Sequence, residues 1–109
     1  MDNMQKTILM DNMVNNLPAL RKVLGVSQEG LADMVGLNRS SIAAIENHKR
    51  KLSWDTFLAM VLIFIKNPAT DKLLNVMEIY TDEFNVFIKG QGKPEKTPKA
   101  KDYSERIEK

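Results

Sequence analysis

Apolar residues recur at helical spacing along most of the chain. Leu17, Leu20 and Leu24 stand at i, i+3 and i+7, with Val23 alongside. They predict a helix that opens on an Asn16 cap, tolerates Pro18 in its first turn and ends at Gly25. Ser27 caps a second helix, in which Leu31, Ala32 and Val35 form the apolar stripe. Gly30 stands where a glutamate would complete a capping box, so this helix starts weakly. Gly36 stops it, because glycine reaches left-handed backbone angles at no steric cost. Leu37 follows as an apolar plug. Asn38 then caps a third helix, whose buried stripe is Ile42 and Ile45.

The fourth helix follows a Ser53 cap and is apolar around its whole circumference from Trp54 to Ile65. It is too short for a bilayer, which needs about 20 residues, so it must be buried on all sides. Phe57, Leu58, Val61 and Leu62 are placed to cover the preceding helices. Met60, Ile63 and Phe64 need either the C-terminal helices or a second subunit. Pro68 opens a fifth helix after Asn67, with Leu73, Leu74 and Met77 as its stripe. Thr81, Asp82 and Glu83 read as a fresh start that carries Phe84, Phe87 and Ile88. Two helices are preferred over 69–89, with one continuous helix or a terminal strand as the alternatives.

Residues 1–15 are expected to form an arm. Met4, Ile8 and Met13 make a weak helical stripe, but the Asp-Asn and Asn pairs favour turns. Such an arm would fray, or lie on DNA or on a second subunit. Residues 90–109 are rich in lysine and proline and read as a disordered basic tail. The chain thus divides into an arm (1–15), a core (16–66), C-terminal helices (67–89) and a tail (90–109).

Composition agrees with an all-α fold of five or six helices. The 109 residues suit one domain, with 43% hydrophobic and 28% charged residues. No cysteine is present, which excludes disulfides, thiolate metal sites and a cysteine nucleophile. The first 15 residues lack the pattern of a secretory signal, so a cytoplasmic location is expected. The net charge of +2 says little, but its distribution says more. From Arg39 to Lys51 there are four cations and one anion, while Asp71, Glu78, Asp82 and Glu83 collect elsewhere. A basic face on a near-neutral body suits phosphate contact.

The stretch Gln28 to Asn47, QEGLADMVGLNRSSIAAIEN, resembles the helix-turn-helix of the Xre/Cro/C1, lambda-repressor-like family of transcriptional regulators. The apolar residues, the small Ala32, the turn Gly36 and the closing Ile45-Glu46-Asn47 all fall at that family's spacing. The resemblance runs from about Leu17 to about Ile65. It implies that Arg21 pairs with Glu46, and that Gln28 donates to a DNA phosphate.

In this reading the third helix is the recognition helix. At about 100° per residue, Ile42, Ile45 and Glu46 share one side. Ser40, Ala43, Ala44 and Asn47 share the other, with Arg39 at its edge. Small residues on an outward face suggest close approach to a groove. Arg39, Ser40, Ala43 and Ala44 are therefore the candidate base contacts, with Arg39 suited to guanine or to clamping a phosphate and the alanines to a thymine methyl. Gln28, Ser41, Asn47, Lys49, Arg50 and Lys51 are the candidate phosphate contacts. His48, the one histidine, follows the helix where many family members have glycine.

The expected function is that of a DNA-binding transcriptional repressor, acting as a homodimer on double-stranded DNA. Met60, Ile63, Phe64, Phe84 and Phe87 are the candidate dimer interface. An antitoxin or other module that binds a protein partner, a toxin or an anti-repressor, is the rival. No nucleophile–base pair, P-loop or metal-ligand cluster is legible, so no catalytic residue, metal or cofactor is expected.

Overall fold

The first helix begins at the very start of the chain. In the computed structural model, which describes residues 1–90, α1 spans Asn3–Leu24. Asp2 and Gln5 form a reciprocal capping box: Gln5 N–H donates to Asp2 at 2.8 Å and Asp2 N–H donates to the Gln5 side chain at 2.9 Å. The expected start at Asn16 is thus displaced by four turns, and residues 3–15 are helix rather than a loose arm. Asn16 instead donates its side-chain amide to the Asn12 carbonyl within the helix.

The helix runs through Pro18 because of what it buries. A proline inside a helix costs about 3 kcal/mol. Leu9 and Met13, both upstream of Pro18, are 4% and 0% exposed. Full burial of each contributes about 1.5–3 kcal/mol, enough together to offset the proline. With Leu17 and Leu20 they make one stripe at i, i+4, i+8 and i+11. Of the weak stripe legible in the sequence, Met4 and Ile8 are exposed and Met13 is buried. The buried one runs through Leu9.

Gly25 closes α1 at φ 81°, donating to the Arg21 carbonyl at 2.8 Å. Helix α2 (Gln28–Val35) starts on Ser27, whose hydroxyl accepts from Gly30 N–H at 3.0 Å. Gly36, at φ 76°, ends it. Helix α3 (Arg39–Glu46) starts on Asn38, whose side chain accepts from Ser41 N–H at 2.9 Å. Helix α4 (Trp54–Lys66) starts on Ser53. The C-terminal part is α5 (Pro68–Asp71) and α6 (Leu73–Val76), two single turns of one segment broken at Lys72, followed by α7 (Asp82–Ile88) on a Thr81 cap. Every regular element among the described residues is a helix, and no strand forms at 85–88.

Two groups of helices share one core. Helices α2 and α3 pack closely on each other, and α1 lies against α3, α4 and α5. Leu17, Leu20, Leu31, Ile42, Ile45 and Phe57 are buried between them. A second cluster joins α4 to α7, where the Phe84 ring packs edge-on against Trp54, Phe57 and Tyr80. Lys6, on α1, sets its ammonium 5.1 Å from the Trp54 ring centroid and 5.6 Å from that of Phe87. Asn12 donates to the Glu78 carbonyl at 3.0 Å, holding a turn in which Glu78 has φ 56°.

This packing changes the expected dimer face. Met60, Phe64 and Phe84 are each 0% exposed, covered by their own chain, and are not a subunit interface. Of the five candidates Ile63 and Phe87 remain partly open. Leu62, expected to cover the helix-turn-helix, is 59% exposed. The tail expected over 90–109 lies, apart from Gly90, outside the described residues.

Candidate nucleic-acid interface

The α2–turn–α3 unit is held from behind by one carboxylate. Glu46, in the last turn of α3, accepts from Arg21 Nε at 2.6 Å and Nη2 at 3.0 Å. This is a bidentate pair between α1 and α3. Glu46 also accepts from Gln28 Nε2 at 3.0 Å, which ties in the first turn of α2. Burial works against the Glu46 charge. The hydrogen bonds from Arg21 and Gln28, together with the Arg21 charge, outweigh it and hold the carboxyl below the usual carboxylate range. The hydrogen bond to Glu46 raises the Arg21 pKa, burial opposes this, and the Glu46 charge adds to it.

The opposite side of α3 is open. Arg39, Ser40 and Asn47 are exposed, and Ala43 and Ala44 are half-buried between them. Ser40 donates its hydroxyl proton to Asn38 Oδ1 at 2.7 Å. What remains to Ser40 is acceptor capacity, which suits an amino group on a base edge rather than a carbonyl. Arg39 lines a shallow depression with Arg21, Ser27, Gln28 and Glu29. A candidate base contact and a candidate phosphate contact are thus brought side by side. Gln28 Nε2 gives one hydrogen to Glu46 and keeps a second for a ligand.

The loop after α3 is folded back on the helix. His48 N–H donates to the Ile45 carbonyl at 3.1 Å, and Lys49 and Arg50 N–H donate to the Ala44 carbonyl at 2.8 and 3.2 Å. This closure needs a left-handed residue, and His48 supplies it at φ 62°. Lys49, Arg50 and Lys51 are all exposed as a result.

Ser41 behaves differently from its expected role. It is 8% exposed, and its hydroxyl accepts from Arg50 Nη1 at 2.5 Å. A residue at the third helical position faces inward when Ile42 and Ile45 do, so Ser41 supports Arg50 and does not itself stand open to a phosphate. The sequence offered no signal for this pairing, which depends on the length of the arginine side chain. Also unforeseen is a groove between α1 and the loop, lined by Thr7, Met10, Asp11, Asn15, His48 and Lys51 among others. It exists because α1 extends past the loop.

No helix among the described residues is long and apolar enough to cross a membrane. No curated protein and no solved structure gives a significant match to the chain. Residues 19–68 match a protein-family model described as Helix-turn-helix. That span holds the Arg21–Glu46 pair, the Gly36 turn and the open face of α3, and it ends as α5 begins. Residues 19–68 therefore form a helix-turn-helix domain, and the match supports the resemblance of this stretch to the Xre/Cro/C1, lambda-repressor-like family of DNA-binding transcription regulators.

Proposed function

We propose that this protein is a sequence-specific transcriptional repressor that inserts α3 into the major groove. The observation that carries the proposal is the open face of α3, where Arg39 heads a surface of Ser40, Ala43, Ala44 and Asn47 with no long side chain in the way. A helix of this shape enters a groove about 12 Å wide. Arg39 reads guanine by a bidentate contact, Ser40 accepts from a base amino group, and the alanine methyls meet thymine. Gln28, Asn47, Lys49, Arg50 and Lys51 fix the register on the phosphates. With so few hydrogen-bonding side chains on the face, part of the discrimination comes from DNA shape.

A homodimer is part of the proposal. Two-fold DNA sites are read by two recognition helices about 34 Å apart. Arg39→Ala tests the groove assignment. Loss of preference for the selected operator, with binding to unrelated duplex retained, supports it. Unchanged operator preference at every salt concentration refutes it.

A further inference from the structure

Two of the three arginines within residues 19–68, Arg21 and Arg50, are fastened by side-chain hydrogen bonds, and in different ways. Arg21 is bound by a carboxylate, so its charge is neutralised where it sits. Arg50 is bound by a hydroxyl. Its guanidinium reaches back from the loop to the first turn of α3, where Nη1 donates to Ser41 Oγ at 2.5 Å. Ser41 is buried and Arg50 is exposed. Asp11 lines the same groove as Arg50, yet the ion pair among the described residues is Arg21–Glu46, not Arg50–Asp11.

A neutral acceptor fixes a cation without cancelling it. A guanidinium has five N–H donors, and Ser41 takes one, so the planar fork keeps a full charge and open donors. The Arg50 backbone is anchored as well as its guanidinium. Its backbone N–H donates to the Ala44 carbonyl, behind the left-handed turn at His48. An arginine free on a surface loses its rotamer freedom when it grips a ligand, and one already held loses less.

We propose that Ser41 is a positioning residue for DNA binding, its buried hydroxyl holding the Arg50 guanidinium beside the first turn of α3 as a preformed cation for a backbone phosphate. This rests on the DNA-binding reading above. Phosphate contact is independent of sequence, so a mixed-sequence duplex of about 25 bp serves as the probe without knowledge of the operator.

The test measures affinity against salt for the full chain and for Ser41→Ala, Ser41→Thr, Arg50→Ala, Arg50→Lys and the Ser41→Ala/Arg50→Ala double variant. Arg50→Ala lowers the slope of log affinity on log salt by about 0.9, the share of one phosphate contact. Ser41→Ala weakens binding about fivefold, the worth of one pre-ordered side chain, and has no further effect once Arg50 is alanine. Ser41→Thr keeps the hydroxyl and stays near the parent. Arg50→Lys keeps the charge but not the fork, and weakens binding with its slope unchanged. That variant carries the test if Ser41→Ala does not fold. Equal binding by Ser41→Ala or Arg50→Lys and the parent overturns the proposal. So does an Ser41→Ala loss that persists in the Arg50→Ala background, which would mark a distortion of α3 instead. If the parent does not bind duplex at low salt, the DNA-binding reading fails and this one falls with it.

Discussion

Arg21 Nε lies 2.6 Å from Glu46 Oε2, across 25 positions of sequence. The pair locks the first helix to the end of α3, and Gln28 closes the ring onto α2. Glu46→Gln leaves a partly buried guanidinium without its charge partner. The expected loss of stability is about 3 kcal/mol at pH 7, read by denaturant unfolding. The folded-state pKa of Glu46 is depressed. Its contribution is therefore present above the ordinary glutamate value of about 4.3 and lost as pH falls through the lower folded value. The gap between parent and variant should close between that ordinary value and more acidic pH. A gap that stays constant to pH 3 would show that the charge is not what stabilises.

Gly30 is a helical glycine in the first turn of α2. A Cβ built there meets Ser27 Oγ at 3.4 Å and Val26 Cβ at 3.6 Å, ordinary contact distances. Gly30→Ala is expected to raise stability by about 0.5–1 kcal/mol, from helix propensity and a less flexible unfolded chain. A fall in the unfolding midpoint would show that the Ser27 cap cannot give way.

His48 holds φ 62° with a full side chain. Glycine relieves the left-handed strain of about 1–2 kcal/mol but returns up to about 1 kcal/mol of freedom to the unfolded chain. His48→Gly should raise the melting temperature by about 3 °C, as a net gain near 0.5 kcal/mol does for a domain of this size. A lower melting temperature would mean that the imidazole makes a contact worth more than the strain.

Two methionines on α1 separate the helix from a loose arm. Met13 is 0% exposed and Met4 is 74% exposed. Met13→Ala should cost about 2–4 kcal/mol, and Met4→Ala should fall within about 0.5 kcal/mol of the parent. Equal, small effects at both positions would mean that the N-terminal half of α1 does not dock.

These contrasts also show where the sequence was readable. Gly25, Ser27, Gly36, Asn38 and Ser53 are signals whose physics is local, since caps and left-handed stops act within a turn. The structure finds each at a helix end. The open side of α3 was legible because the side of a helix opposite Ile42 and Ile45 follows from its pitch. What escaped depends on distant partners. Asp2 and Gln5 form a capping box, but with aspartate in place of serine or threonine it did not stand out before a stripe broken by Asn pairs. Pro18 looked like a helix start because the burial that outweighs it comes from α4 and the C-terminal segment. The same partners closed over Met60, Phe64 and Phe84, which single-helix periodicity could show to be apolar but not how they would be covered. Ser41 and Arg50 were both legible as polar groups near a groove. That one is buried and holds the other depends on how far an arginine side chain reaches across the loop.

The central claim is that α3 reads DNA as one half of a two-fold assembly, and selection of bound sites from a random duplex pool at near-physiological salt tests it most directly. A palindromic motif with half-sites about 10 bp apart, lost in Arg39→Ala, is the predicted result. Recovery of no motif, with binding that vanishes as salt rises, would contradict it and leave only electrostatic contact with the backbone.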